Sequence, residues 1–134
     1  MTLKTSDSKI TNYEVFGDNT GTAILFIHGL GAEVSSWKNQ TGEFAKNGFF
    51  VITMDMYGHG SSSPLYSQSL SEWDQQISEL LEHLKIENFI ICGVSMGGVI
   101  AQHFTLTYPQ KIKALVISDS FGELKTGKEK MLGF

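Results

Sequence analysis

The sequence predicts an α/β fold, a mostly parallel open sheet with flanking helices. Two observations carry that expectation. Four short apolar runs, at positions 23–27, 49–54, 89–92 and 114–117, are continuous rather than alternating, as strands covered on both faces are. Stretches with helical spacing lie between them, and strand–helix alternation of this kind builds a parallel sheet.

Taken in order, positions 2–5 and 10–16 read as an antiparallel start turning at Asp7-Ser8. The run 23–27 is the first buried strand. Trp37, Phe44 and Ala45 outline a short helix closed by Asn47-Gly48. The run 49–54 is the next strand. Leu70, Trp73, Ile77, Leu80, Leu81 and Leu84 then recur at three- and four-residue steps, behind a capping-box pattern at Ser69 and Glu72. After the run 89–92, Met96, Val99, Ile100 and Phe104 outline another helix, stopped by Pro109. The run 114–117 closes the series, giving an antiparallel start followed by βαβαβαβ. Residues 1–134 form one domain: the length suits a single core, and no repeat or linker interrupts it.

Composition narrows the function. The hydrophobic share of 41% with 18% charged residues excludes a disordered chain. The net charge is −4, and all 10 basic residues are lysines. Nucleic-acid binding, which leans on arginine and a basic face, is not expected. A single cysteine, Cys92, has no internal partner, which suits a reducing compartment. The first residues lack an apolar leader core, and no apolar run reaches membrane-spanning length. A cytoplasmic location and no membrane contact are the expectations.

Each buried strand is followed by a loop of unusual composition: His28-Gly-Leu-Gly31, Asp55-Met-Tyr-Gly-His-Gly60, Gly93-Val-Ser-Met-Gly-Gly98, and Asp119. Open α/β sheets bind ligands beyond the carboxyl ends of their strands, so four such loops on one edge mark a site. The third loop is the most informative. Gly-x-Ser-x-Gly between a strand and a helix is the pattern of a nucleophile elbow, in which small neighbours permit a sharp turn around the serine. Ser95 would stand above the sheet at the positive end of the following helix, with the Met96 N–H directed at a developing oxyanion.

These motifs resemble those of the α/β-hydrolase superfamily, in its esterase, lactonase and cofactor-free haloperoxidase-like branch. Phe26-Ile-His28-Gly29-Leu30-Gly31 resembles the family's oxyanion loop, which implies Leu30 as the second backbone donor and His28 and Gly29 as shapers of that loop. The segment from Asp55 to Ser62 resembles the Asp-x-Arg-Gly-x-Gly-x-Ser stretch, with Tyr57 where arginine is usual. The resemblance implies strand order 1-2-4-3-5-6 and acyl transfer at Ser95 on an ester-like bond of a small molecule, without cofactor or metal. It also implies a histidine base after strand eight, whereas this sequence resembles the family only through strand six, with residues 122–134 falling where a substrate-selecting lid begins.

None of the four histidines is a natural replacement for that base. His103 lies about 12 Å along its helix from Ser95, at roughly 1.5 Å per residue, and reads as a packed or surface residue. His83 reads as solvated, His28 as a loop-ordering group, and His59 as part of a structural turn. Asp119 ends the sixth strand, where some family members carry their acid; a loop-turning role is the equal alternative. Asp55 reads as a turn-former, and Glu33 has no assigned task. The expected function is a serine hydrolase that is weak or incomplete alone. The alternative is an inactive truncated or split hydrolase serving as a folding or binding module. Run 114–117 would be an exposed edge, inviting a homodimer or a separate C-terminal half.

Other chemistries fit poorly. Gly29-x-Gly31 followed by Asp55 imitates a dinucleotide fingerprint, but Val34 occupies the third glycine position. Gly127-Lys128 is followed by Glu129, which does not make a phosphate-binding loop. His28 and His59 have no partner at metal-ligand spacing.

Overall fold

A computed structural model describes residues 1–67 and 69–122. The tail expected to begin a lid lies, from position 123 onward, outside the described residues. Six strands form one sheet: β1 (Thr2–Lys4), β2 (Ile10–Phe16), β3 (Thr22–Ile27), β4 (Phe49–Met54), β5 (Phe89–Val94) and β6 (Ile112–Ser118). Their order is β1-β2-β4-β3-β5-β6. β1, β2 and β4 pair antiparallel, while β4, β3, β5 and β6 run parallel. Both the antiparallel start and the parallel remainder agree with the sequence reading.

The continuous runs are buried because both sheet faces are covered in the centre. One face carries α2 (Leu70–His83) and α3 (Met96–Thr107), whose Trp73, Ile77, Leu80, Val99, Ile100 and Phe104 pack onto the sheet. The other face carries a 3-10 turn (Val34–Trp37) and α1 (Lys38–Lys46), which set Trp37 and Phe44 against Phe26. Register brings Ile24, Leu25, Phe26 and Ile27 opposite Val51, Ile52, Thr53 and Met54, so the carboxyl ends of β3 and β4 stop level. Their following loops therefore open on the same edge.

Two local details differ from the expected pattern. The Ser69 hydroxyl does cap α2, accepting from the Ser71 N–H at 3.2 Å. Glu72, however, does not reach back to complete a capping box. Its carboxylate accepts from the N–H groups of Tyr66 and Ser67 and from Lys9, since a lysine ammonium and two loop amides outcompete one capping amide. Helix α3 ends at Thr107, two residues before Pro109, because the residue preceding a proline avoids the helical region and Tyr108 has turned to ψ 57°.

His103 is packed rather than free. Its Nδ1 lies 2.7 Å from Oδ2 of Asp74, which is 5% exposed at the α2–α3 seam. Asp74 Oδ1 is buried without a partner among the described residues. Burial pushes the Asp74 carboxyl above its ordinary pKa, and the His103 charge opposes that rise. Replacing His103 by Ala strands a buried carboxylate and should cost about 2–3 kcal/mol in urea unfolding. Asp74→Asn in the His103→Ala background should restore part of the loss; additive losses would count against the pair.

Candidate active site

Ser95 sits between β5 and α3 with φ 52° and ψ −120°. Non-glycine residues seldom occupy such a conformation, which typically costs about 1–3 kcal/mol. The surrounding backbone holds it there. The Ser95 N–H donates to the Ser118 carbonyl of β6 at 3.2 Å, and the Ser120 hydroxyl donates to the Ser95 carbonyl at 2.6 Å. Clearance comes from glycine. A Cβ at Gly93 would lie 2.1 Å from the Gly97 carbonyl oxygen, and one at Gly97 would lie 2.2 Å from that of Ile27 and 2.5 Å from that of His28. The first turn of α3 thus rests directly on the end of β3.

That contact sets the His28–Gly31 loop beside the elbow. A Cβ on Gly29 would lie 3.4 Å from the Ser95 Cβ. The N–H groups of Leu30 and Met96 have no backbone partner among the described residues. Leu30 itself is 78% exposed. His28 is fully buried, and both ring nitrogens are occupied: Nε2 accepts from the Met56 N–H at 3.0 Å, and Nδ1 lies 2.8 Å from the Gly29 carbonyl. The acceptor role of Nε2 assigns the proton to Nδ1, which donates to Gly29. Burial lowers the His28 pKa, against the support of the Gly29 carbonyl, and the neighbouring His59 lowers it further. His28 therefore acts on the site through the loop it shapes, with no free nitrogen to take a proton.

Asp55 is the turn-former of the next loop. It is buried, and its carboxylate accepts from Asn12 Nδ2, the Val34 N–H and the Ser61 N–H. Gly60, at φ +51°, passes so close that a Cβ there would meet Asp55 Oδ2 at 2.1 Å. Asp119 directly follows β6 in the left-handed region at φ 45°, exposed on the same sheet edge as Ser95. Glu33 hydrogen-bonds the nearby Ser35 hydroxyl. His83 is exposed at the end of α2, edge-on to Tyr13. The site residues expected from the sequence on β3, β5 and β6 are thus brought to one edge, while His83 and His103 are not.

A cleft of about 510 Å³ opens beside the elbow, walled by Leu30, Met96, Tyr57, Trp73, Pro64 and Leu65. Tyr57 of that wall lies against a cation. The Lys9 ammonium lies 4.9 Å from the Tyr57 ring centroid and 5.4 Å from that of Tyr66, and it pairs with Asp7 and Glu72 at 2.9 Å each. This cation comes from the β1–β2 turn. Sequence reading missed Lys9 because it stands 48 positions from Tyr57; the tyrosine itself was the signal. Among the described residues no group of three or more His, Cys, Asp or Glu is placed to hold a metal, and no helix is long and apolar enough to cross a membrane.

Comparison with known proteins settles the family. The model of the alpha/beta hydrolase fold matches residues 22–132. This chain belongs to the alpha/beta hydrolase fold family. It is 30% identical over 121 residues to 3-oxoadipate enol-lactonase 2 of Acinetobacter baylyi, covering 90% of this chain and 45% of that protein. A putative 2-succinyl-6-hydroxy-2,4-cyclohexadiene-1-carboxylate synthase of Bacillus subtilis is 31% identical over 113 residues, covering 82% of this chain and 40% of the relative. Among solved structures, one from a study of carboxylesterases of Nitrososphaera gargenis superposes with a TM-score of 0.88 at 27% identity, over 96% of this chain and 48% of that one. The chain spans about half the length of the relatives it matches.

Glu72 makes the cleft wall acid-sensitive. Burial opposes its ionisation, but hydrogen bonds from Ser67, Lys9 and the Tyr66 amide outweigh it and bring the pKa from 4.5 down to about 2. A carboxylate depressed in the folded state lends stability above its unfolded pKa and loses it as pH falls through the folded one. Stability should therefore drop between about pH 4.5 and 2, and Glu72→Gln should flatten that part of a urea-midpoint-against-pH curve. An unchanged curve would remove Glu72 from the acid response.

Proposed function

We propose that this domain carries the nucleophile and oxyanion hole of a serine hydrolase acting on ester-like bonds of small molecules. The observation carrying the proposal is the strained Ser95 backbone, φ 52° and ψ −120°, with Gly29 of the oxyanion loop packed against it. Proteins retain such strain where function requires it. In this reading the Ser95 hydroxyl oxygen attacks the carbonyl carbon, and the alcohol leaves as the tetrahedral intermediate collapses to an acyl-enzyme. The Leu30 and Met96 amides hold the oxyanion, a contribution of about 10²–10³ in rate per donor. Water then releases the acid and regenerates the serine. Asp119 is the candidate acid. Neither His28, with both nitrogens engaged, nor His103, paired with Asp74, is free to act as the general base.

A serine without a base is a slow nucleophile. A fluorophosphonate probe should therefore label Ser95 slowly, Ser95→Ala should abolish labelling, and added imidazole should accelerate it. Labelling that persists in Ser95→Ala, or none even with imidazole, would favour an inactive hydrolase fragment serving as a folding or binding module.

The partner reading rests on β6. Val116 is 45% and Ile117 43% exposed on a strand with a neighbour on one side only, among the described residues. Lys111 and Lys113 precede this apolar stretch without interrupting it, so the edge is poorly protected against pairing. We propose that a second copy pairs with it about a two-fold axis, a separate C-terminal half being the alternative occupant. Light scattering should show a concentration-dependent dimer weakened by Val116→Lys; a 14.8 kDa particle at every concentration would exclude the homodimer.

A further inference from the structure

We propose that the cleft beside Ser95 receives the substrate's acyl chain, and that His59 selects chains bearing a hydrogen-bond acceptor oxygen over purely hydrocarbon ones. The inference rests on the acyl-transfer reading of Ser95 and adds a substrate class and a specificity-determining residue to it. The cleft begins at Leu30 and Met96, the residues whose amides flank the expected carbonyl position, so a chain carried on that carbonyl carbon is within reach of it, and we place the acyl arm there. Its volume of about 510 Å³ falls within the usual small-molecule range of about 300–1,000 Å³.

The walls are mostly apolar, and their polar atoms are largely committed to the protein. The Ser62 hydroxyl donates to the Asp55 carbonyl at 2.6 Å and accepts from the Asn12 N–H at 2.9 Å. Trp73 Nε1 donates to the Tyr57 carbonyl at 3.1 Å, and the Tyr57 hydroxyl turns away to Thr5. His59 differs. It lines the same cleft, half-buried, and its Nδ1 is buried without a hydrogen-bond partner among the described residues. Other buried polar atoms share that condition, on Trp37, Thr53, Ser78 and the Asp74–His103 pair, but none of these lines the cleft. The His28 ring, 4.9 Å away between centroids, cannot satisfy it because both of its nitrogens are engaged. A buried polar group left unpaired is costly. With its proton on Nδ1, an imidazole in an apolar cleft favours a ligand that brings an acceptor to the ring, and a half-buried ring can turn about its side-chain bonds to present that nitrogen.

The test uses the Ser95→Ala chain, which binds without reacting, titrated by NMR with methyl 4-oxopentanoate and methyl pentanoate. The keto ester should bind about threefold to tenfold tighter, the range one hydrogen bond supplies, with shifts at the Met96 amide and Trp73 indole. His59→Phe should erase the preference and His59→Asn should keep part of it, so that a misfolded Phe variant leaves the Asn variant to decide. Equal binding of the two esters, or a preference that survives His59→Phe, overturns the proposal. Fluorophosphonate labelling of the wild-type chain separates the two readings. Labelled Ser95 without ester preference removes the role of His59 and keeps the hydrolase. Preference with unlabelled Ser95 keeps the selective cleft and removes acyl transfer.

Discussion

The first turn of α3 lies on the carbonyl oxygens of Ile27 and His28, and only hydrogen fits at Gly97 between them. The geometry of the candidate site follows from that contact. It fixes the height of the helix above the sheet, and so places Ser95 against Gly29 rather than a side chain's width away. Gly93 and Gly98 extend the same clearance to the α3 backbone and to Ser120. The β6 terminus then closes over the elbow through Ser118 and Ser120, anchoring a backbone conformation that is unfavourable in isolation.

Around this contact, buried polar groups hold the loops in register. Asp55 and His28 both sit where the sheet ends and carbonyls and amides would otherwise be orphaned. Asp55 gathers N–H donors from the loops after β3 and β4 and the Asn12 side chain, while His28 bridges the Met56 amide to the Gly29 carbonyl. Gln76 of α2 adds a third tie, accepting from the Tyr57 N–H and donating to the Asp55 carbonyl. Satisfied buried networks of this kind rigidify, because breaking one member strands the others in low dielectric.

The outer wall solves a different problem. Lys9 of the β1–β2 turn stands between the Tyr57 and Tyr66 rings and two carboxylates. The antiparallel start of the sheet, at a distance from the elbow, therefore helps hold the cleft in which His59 stands.

Much of the fold was legible in the sequence, because burial on two faces writes continuous apolar runs and helix packing writes three- and four-residue steps. The strands at β3, β4, β5 and β6, the helices at α2 and α3, and the elbow at Ser95 follow from local pattern alone. What local pattern could not supply was pairing across distance. Asp74 with His103, Lys9 with Tyr57 and Glu72, and Ser120 with the Ser95 carbonyl join residues whose sequence neighbourhoods carry no sign of one another. Likewise Glu72 matched a capping box by spacing, yet took partners that only the folded loop brings within reach. The sequence by itself determined the order of elements and the chemistry available at each strand end, since both depend on residue type and short-range spacing. The tertiary structure alone decided which polar groups are already spent and which, like His59 Nδ1, have no partner among the described residues, because a hydrogen bond is satisfied in space and not along the chain.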